Sequence, residues 1–250
     1  MGCIFTRFPS HSRPFIDSFT WRNAVLTIVS ATTHNEASFH KDTFLGTSLS
    51  RLRKAGLDFD TRIIFRNPSN VGLPEVYNRA IGNDASSQQP MVLIHDDVSI
   101  EDALVEQKLD LALSDFDIVG TAGGDPPVQA LGWYNNRCWP AFGCVAHADR
   151  DQLDSVLRPA AMYYGPSPHR CRVIDGHFMA LIPVKIVQAN VRFDPQFTYN
   201  HYDLDFCHSA HAAGLRIGTW PIWVVHGSGG GYGTEAWKRS AERYQRKYSS

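Results

Sequence analysis

Apolar residues fall along this chain in two rhythms, and the changes between them predict its elements. Ala24 to Ala31, AVLTIVSA, is a β-branched run and predicts the first strand. It ends in the polar cluster Thr32-Thr33-His34-Asn35. Over residues 41–54, Phe44, Leu45, Leu49 and Leu52 recur at helical spacing, and Gly56 predicts the helix end. Thr61 to Phe65 predicts a second strand, ahead of the turn-rich Arg66-Asn67-Pro68-Ser69-Asn70. Leu73 to Ile81 predicts a helix with Pro74 in its first turn and Gly82 at its end. Met91 to Ile94 is an unbroken apolar run that stops at His95-Asp96-Asp97, which predicts a buried strand ending at the surface. A helix over roughly 100–113 and a strand over Phe116 to Gly120 follow. This alternation predicts an α/β fold with a mostly parallel, Rossmann-like sheet covered by helices on both faces.

The second half has a different texture and predicts a smaller mixed lobe. Residues 121–140, rich in Gly, Pro, Asn and Trp, predict a long loop. Ala141 to His147 and Val173 to Ile182 predict strands, with loop between them that includes Tyr163 to His169. Leu204 to Ala213 predicts a helix ended by Gly214, and Leu215 to Thr219 and Ile222 to His226 predict short strands. Gly227 to Gly233, GSGGGYG, cannot hold one conformation unaided. A basic amphipathic helix, Glu235 to Tyr248, closes the chain. These elements divide the chain into an irregular extension, 1–22, and one domain, 23–250, whose parts are 23–120, 121–226 and 227–250.

Composition narrows the classes. The chain has 250 residues, 43% of them hydrophobic, enough for a sizeable core. Its 24 Lys+Arg against 25 Asp+Glu exclude a general nucleic-acid binder, which would carry a basic excess. The cysteines, Cys3, Cys138, Cys144, Cys171 and Cys207, are scattered and form no CxxC pair, so neither a disulfide framework nor a zinc knuckle is indicated. That usage fits a reducing cytoplasm. No apolar run reaches membrane-span length, and the N-terminus lacks a signal-peptide core. Gly2, Cys3 and Thr6 do match an acylation pattern.

The candidate chemistry sits at element ends. Asp96 and Asp97 terminate a central strand, where open α/β sheets bind ligands, and a hard divalent cation is the natural guest of paired carboxylates. The same pair could cap a helix near Glu101 or lie in a turn. Asp175-Gly176 could be a hairpin turn or a site. Asp203 and Asp205 open a helix, as an N-cap and a dipole partner or as functional acids, and His226 ends an apolar strand. Trp133, Tyr134 and Trp139 suit either stacking on a sugar or packing a lobe. Lys238, Arg239 and Arg243 are either phosphate partners or a solvated helix face. His201, Asp203 and His226 also spell a two-His-one-carboxylate iron site, but that site belongs in an all-β barrel and leaves HDDV unexplained.

The order of four stretches adds a resemblance. NPSNVGLPEVYNRAI, HDDV, YDLDFCHSAHAAGLRIG and VVHGSGGGYGTEAW follow one another in the chain. In that order they resemble the GT-A-fold glycosyltransferases, close to the large inverting family-two group. The resemblance implies a GT-A fold, with 23–120 as the nucleotide-sugar half and 121–226 as the acceptor half. It implies a nucleotide-diphosphate sugar donor, a Mn2+ or Mg2+ ion, and a glycan or lipid-linked acceptor. Asp97 and His226 would hold the metal, and Asp203 would be the general base. Thr32, Asn67, Asn78, Asp96, Asp175 and Gly176 would lie on the donor, and Trp133, Tyr134 and Asp205 on the acceptor. His95 stands where the first acid of the family's Asp-x-Asp belongs, and Tyr202 where a Glu usually precedes the base. As an acid at a helix start, Asp203 is expected to have a lowered pKa. A cytoplasmic place at the inner face of a membrane, with peripheral contact, fits such an acceptor. Two alternatives stay open. One is a non-catalytic sugar-nucleotide or carbohydrate-binding module on the same fold. The other, a nucleotidyltransferase, would normally have a glycine-rich basic loop where Thr32-Thr33-His34-Asn35 stands.

Overall fold

The computed structural model describes residues 25–135, 137–149, 151–227 and 231–249. The predicted extension 1–22 and its acylation pattern lie outside them. The first half comprises β1 (Leu26–Ala31), α1 (Glu36–Asp42), α2 (Phe44–Lys54), β2 (Phe59–Ile64), α3 (Leu73–Asn83), β3 (Met91–Ile94), β4 (Val98–Ile100), α4 (Val105–Asp115) and β5 (Ile118–Gly120). The second half comprises β6 (Ala122–Gly124), β7 (Ala141–His147), β8 (Ala160–Gly165), β9 (His169–Arg170), β10 (Val173–Ile174), β11 (Phe178–Leu181), α5 (Pro183–Gln188), α6 (Tyr202–Ala212), β12 (Ile217–Thr219), β13 (Val224–His226) and α7 (Glu235–Tyr248).

These elements make a mixed α/β architecture with two sheets. One has seven strands in the order β2-β1-β3-β11-β5-β12-β9, and the other runs β10-β6-β7-β13-β4 with β8 beside β7. The expected mostly parallel sheet is corrected. β1 pairs parallel with β2 and β3, and β5 with β12, but β11 enters antiparallel between β3 and β5. The reason is local. Val173 to Ile182 is not one strand. It breaks at residues 175–177 but keeps its direction, so that β10 pairs antiparallel with β6 and β11 antiparallel with β5 as the chain passes into the larger sheet.

Helices cover both faces of the larger sheet, as the side-chain period requires. On β3, Met91 and Leu93 enter one core with Tyr77, Phe193 and Phe206, while Val92 and Ile94 enter the other with Phe39, Leu45 and Leu109. β1 alternates the same way, with Val29 in the first core and Leu26 and Ile28 in the second.

Other expectations shift for equally specific reasons. The single helix over 41–54 is two helices. Thr43 ends α1 and caps α2, its hydroxyl accepting from Gly46 N at 3.0 Å. The helix expected from about residue 100 starts at Val105, because Val98 to Ile100 pair with β13. Tyr163 to Gly165 and His169, expected in loop, are in strands β8 and β9. No described helix is long and apolar enough to cross a membrane.

α7 is tied down by a buried acid. Asp205, fully buried on α6, accepts from Tyr248 Oη at 2.8 Å and pairs with Lys247 Nζ at 2.6 Å. Lys247 also reaches Asp194 at 2.8 Å. Removing the ammonium leaves a buried carboxylate with too little compensation. Lys247→Met is expected to lower the unfolding free energy by about 2 kcal/mol in a urea titration. An unchanged midpoint would show that Tyr248 alone suffices.

Candidate active site

The site forms where the chain passes from one sheet to the other. β3 ends at His95, and a tight turn, with Val98 N donating to His95 O at 3.3 Å, carries the chain into β4. β5 hands over to β6 through Thr121, and β10 hands over to β11 through Asp175-Gly176-His177. These crossings are bonded to one another. His95 N donates to His177 O at 3.1 Å, and Asp175 N donates to Ala122 O at 2.9 Å. The buried His177 ring shares a 2.8 Å hydrogen bond with Thr121 Oγ1 through Nε2, and its Nδ1 lies 2.9 Å from Asp175 Oδ1. Gly227 N, just after β13, donates to Asp97 O at 2.7 Å. Backbone bonds therefore fix where these residues sit, and side-chain bonds aim the His177 ring.

Three potential ligands converge there. One ligand atom from each of His95, Asp97 and His226 falls within 4.8 Å of the others, the only such group among the described residues. His226 Nε2 is 3.6 Å and His95 Nδ1 is 3.9 Å from Asp97 Oδ1. The His226 ring stacks on His177, with centroids 5.0 Å apart and planes 14° apart. Burial pushes the His95 pKa down to about 4 against the pull of Asp97, so its ring is neutral and able to ligate. His201, Asp203 and His226 do not form a ligand set. His201 instead shares a 2.9 Å hydrogen bond with Ser240 on α7.

Across the site stand two more acids of opposite character. Burial alone would raise the Asp175 pKa, but the neighbouring His177 outweighs it and holds the carboxyl well below the usual range. Asp175 Oδ2 also accepts from Trp133 Nε1 at 2.7 Å. Asp203 is partly buried at the start of α6 and accepts from Gly176 N at 3.1 Å. Burial, with the charge of Asp175 added, pushes its pKa up to about 7. This corrects the expected lowering. The helix N-terminus does favour the anion, but loss of water and a second carboxylate win. Gly176 is required between them, since a Cβ there would collide with Tyr202 Oη and with Asp203 Cβ.

These groups line a cavity of about 1440 Å³ that also takes in Thr32, Asn67, Tyr199 and Trp237. Thr32 Oγ1 donates to Asp96 Oδ2 at 2.6 Å, which fixes that carboxylate at the strand end. Among the described lining residues are seven aspartates and neither lysine nor arginine.

Of the residues expected in the site, Thr32, Asn67, Asp96, Asp97, Trp133, Asp175, Gly176, Asp203 and His226 line this cavity. Three do not. Asn78 clamps the backbone of Phe193, donating to its O at 2.8 Å and accepting from its N at 3.0 Å. Asp205 faces α7, as described above. Tyr134 packs edge-on against Tyr164 behind Trp133. The cations of α7 are also turned elsewhere, Lys238 to Glu235 and Arg243 to Gln196 O. Sequence reasoning missed His177, whose one signal is its place directly after Asp-Gly in an apolar run. It also treated His95 and Tyr202 only as departures.

No family model matches the chain, and no curated protein does. Among solved structures, the chain is similar to A197 from STIV, with a TM-score of 0.43 and 9% identity over 79% of this chain and 82% of that one. It is also similar to S. aureus TarS, with a TM-score of 0.43 and 8% identity over 81% of this chain and 60% of that one.

Proposed function

We infer that this chain is a glycosyltransferase of GT-A type that moves a sugar, with inversion, from a nucleotide-diphosphate donor to a hydroxyl of a glycan or lipid-linked acceptor. One observation carries the reading. The four stretches behind the resemblance are scattered along the sequence, yet each contributes to one cavity: Asn67 and Gly72, then Asp96 and Asp97, then Asp203, then His226 and Gly231.

The charge of the cavity supports a cation. A diphosphate is a dense anion, and the described lining offers it aspartates without lysine or arginine. A divalent ion on Asp97, His226 and His95 would supply positive charge at the place where the diphosphate leaves and stabilise it there. The chain's own groups would do the rest. Asp96, steadied by Thr32, would accept from a hydroxyl of the donor. Asp175, steadied by Trp133 and His177, would orient the sugar. Asp203 would take the proton of the attacking hydroxyl, and a base with a pKa near neutrality suits that task. Attack from the face opposite the leaving group inverts the anomeric carbon.

A thermal-shift screen of nucleoside diphosphates and nucleotide sugars, with and without divalent ions, tests this directly. At least one diphosphate should raise the Tm only when the ion is present. If none does, the proposal fails. A metal-dependent shift with no turnover on any acceptor would favour the binding-module alternative.

A further inference from the structure

The geometry points to an imidazole-rich cation site, in which His95 is the third ligand, Tyr202 sets its orientation, and the ion is of the zinc or cobalt class rather than magnesium. The inference rests on the reading that Asp97 and His226 hold a cation. It starts from the two departures noted in the sequence, His95 and Tyr202, which touch. His95 Nε2 lies 2.7 Å from Tyr202 Oη. Tyr202 Oη in turn donates to Gly176 O at 2.9 Å. Its one proton is therefore used, and the hydrogen between the two side chains belongs to Nε2.

The other ring nitrogen of His95 then carries the lone pair. Nδ1 is buried without a hydrogen bond and faces Asp97 Oδ1 at 3.9 Å, the same oxygen that His226 Nε2 approaches at 3.6 Å. Ligands about 2.1 Å from a tetrahedral ion stand about 3.4 Å apart, so these atoms are near a ligand set as they are. Tyr199 stacks on the His95 ring at 5.5 Å and 27°, which limits its rotation. A histidine whose far nitrogen is fixed by a hydrogen bond is the usual arrangement of a metal ligand.

Ligand chemistry then selects the ion. Magnesium prefers oxygen donors and octahedral geometry and gives up water reluctantly. Two imidazoles and one carboxylate suit the later first-row ions, whose affinities rise from manganese through cobalt.

Calorimetry and equilibrium dialysis on the metal-stripped full chain, without nucleotide, test the inference, with the visible spectrum of bound Co2+ as an independent readout. One equivalent of Co2+ or Zn2+ should bind, with Mg2+ at least about 100-fold weaker. Tyr202→Phe should weaken Co2+ by about 10- to 100-fold. His95→Asp should narrow the gap between Co2+ and Mg2+ by at least about tenfold, and this variant carries the test if Tyr202→Phe does not fold. Equal affinity for Mg2+ and Co2+, or a Co2+ spectrum unchanged in His95→Ala, overturns the inference alone. Failure of every ion to bind overturns it together with the cation of the proposed reaction.

Discussion

Asp203→Asn should leave metal-dependent donor binding intact while transfer falls by about 100- to 10,000-fold, the range supplied by a positioned general base. The amide has the size of the acid and can still accept from Gly176 N, which now bonds Asp203 Oδ2 at 3.1 Å. What it cannot do is take a proton. The wild-type pH profile should therefore rise through about pH 7 to a plateau, since the pKa of Asp203 is pushed up to about 7 and only the anion is a base. Folding stability follows the opposite trend with pH. The folded pKa lies above the unfolded 3.8, so the folded state holds this proton more tightly. The associated stability is full at low pH and is lost as pH rises through about 7. Asp203→Asn should thus gain more Tm over wild type at about pH 8 than at about pH 5. Equal turnover in the two proteins would remove Asp203 from the base role.

Asp97→Ala should lower divalent-ion affinity by at least about 100-fold and abolish the donor-induced thermal shift. Its carboxylate is the shared neighbour of His95 and His226, so its loss leaves two imidazoles with no anion between them. The fold should survive, because Gly227 N bonds the backbone carbonyl of residue 97 rather than its side chain. Asp96→Ala is the matched control. That carboxylate accepts from Thr32, and its loss should weaken donor binding while leaving the ion in place. If the two variants lose ion affinity equally, the division of roles between the adjacent acids is wrong.

What could be read from the sequence was what local chemistry writes down. Met91 to Ile94 running into His95-Asp96-Asp97 announced a strand end, and Ala141 to His147 and Glu235 to Tyr248 match β7 and α7. What escaped depends on distant partners. The side-chain period of β11 is the same whichever way the strand runs, so its antiparallel entry was invisible. β8 has four exposed residues and owes its existence to pairing with β7. Thr43 sits in a helical pattern, yet its backbone is extended and its hydroxyl caps the next helix by accepting from Gly46 N. In the site, Asp203 read as a helix-start acid, but its pKa is raised by burial in the folded chain and then by Asp175, in another segment. Asn78 and Asp205 are polar residues on helices, and nothing local tells whether such a residue meets a ligand or, as here, Phe193 and α7.

The knot of hydrogen bonds joining residues 95–97, 121 and 175–177 makes the angle between the two sheets and the spacing of the site one mechanical variable. Neither sheet can rotate against the other without moving His95 relative to Asp175. Core substitutions that change sheet twist are therefore expected to reach the site through these bonds.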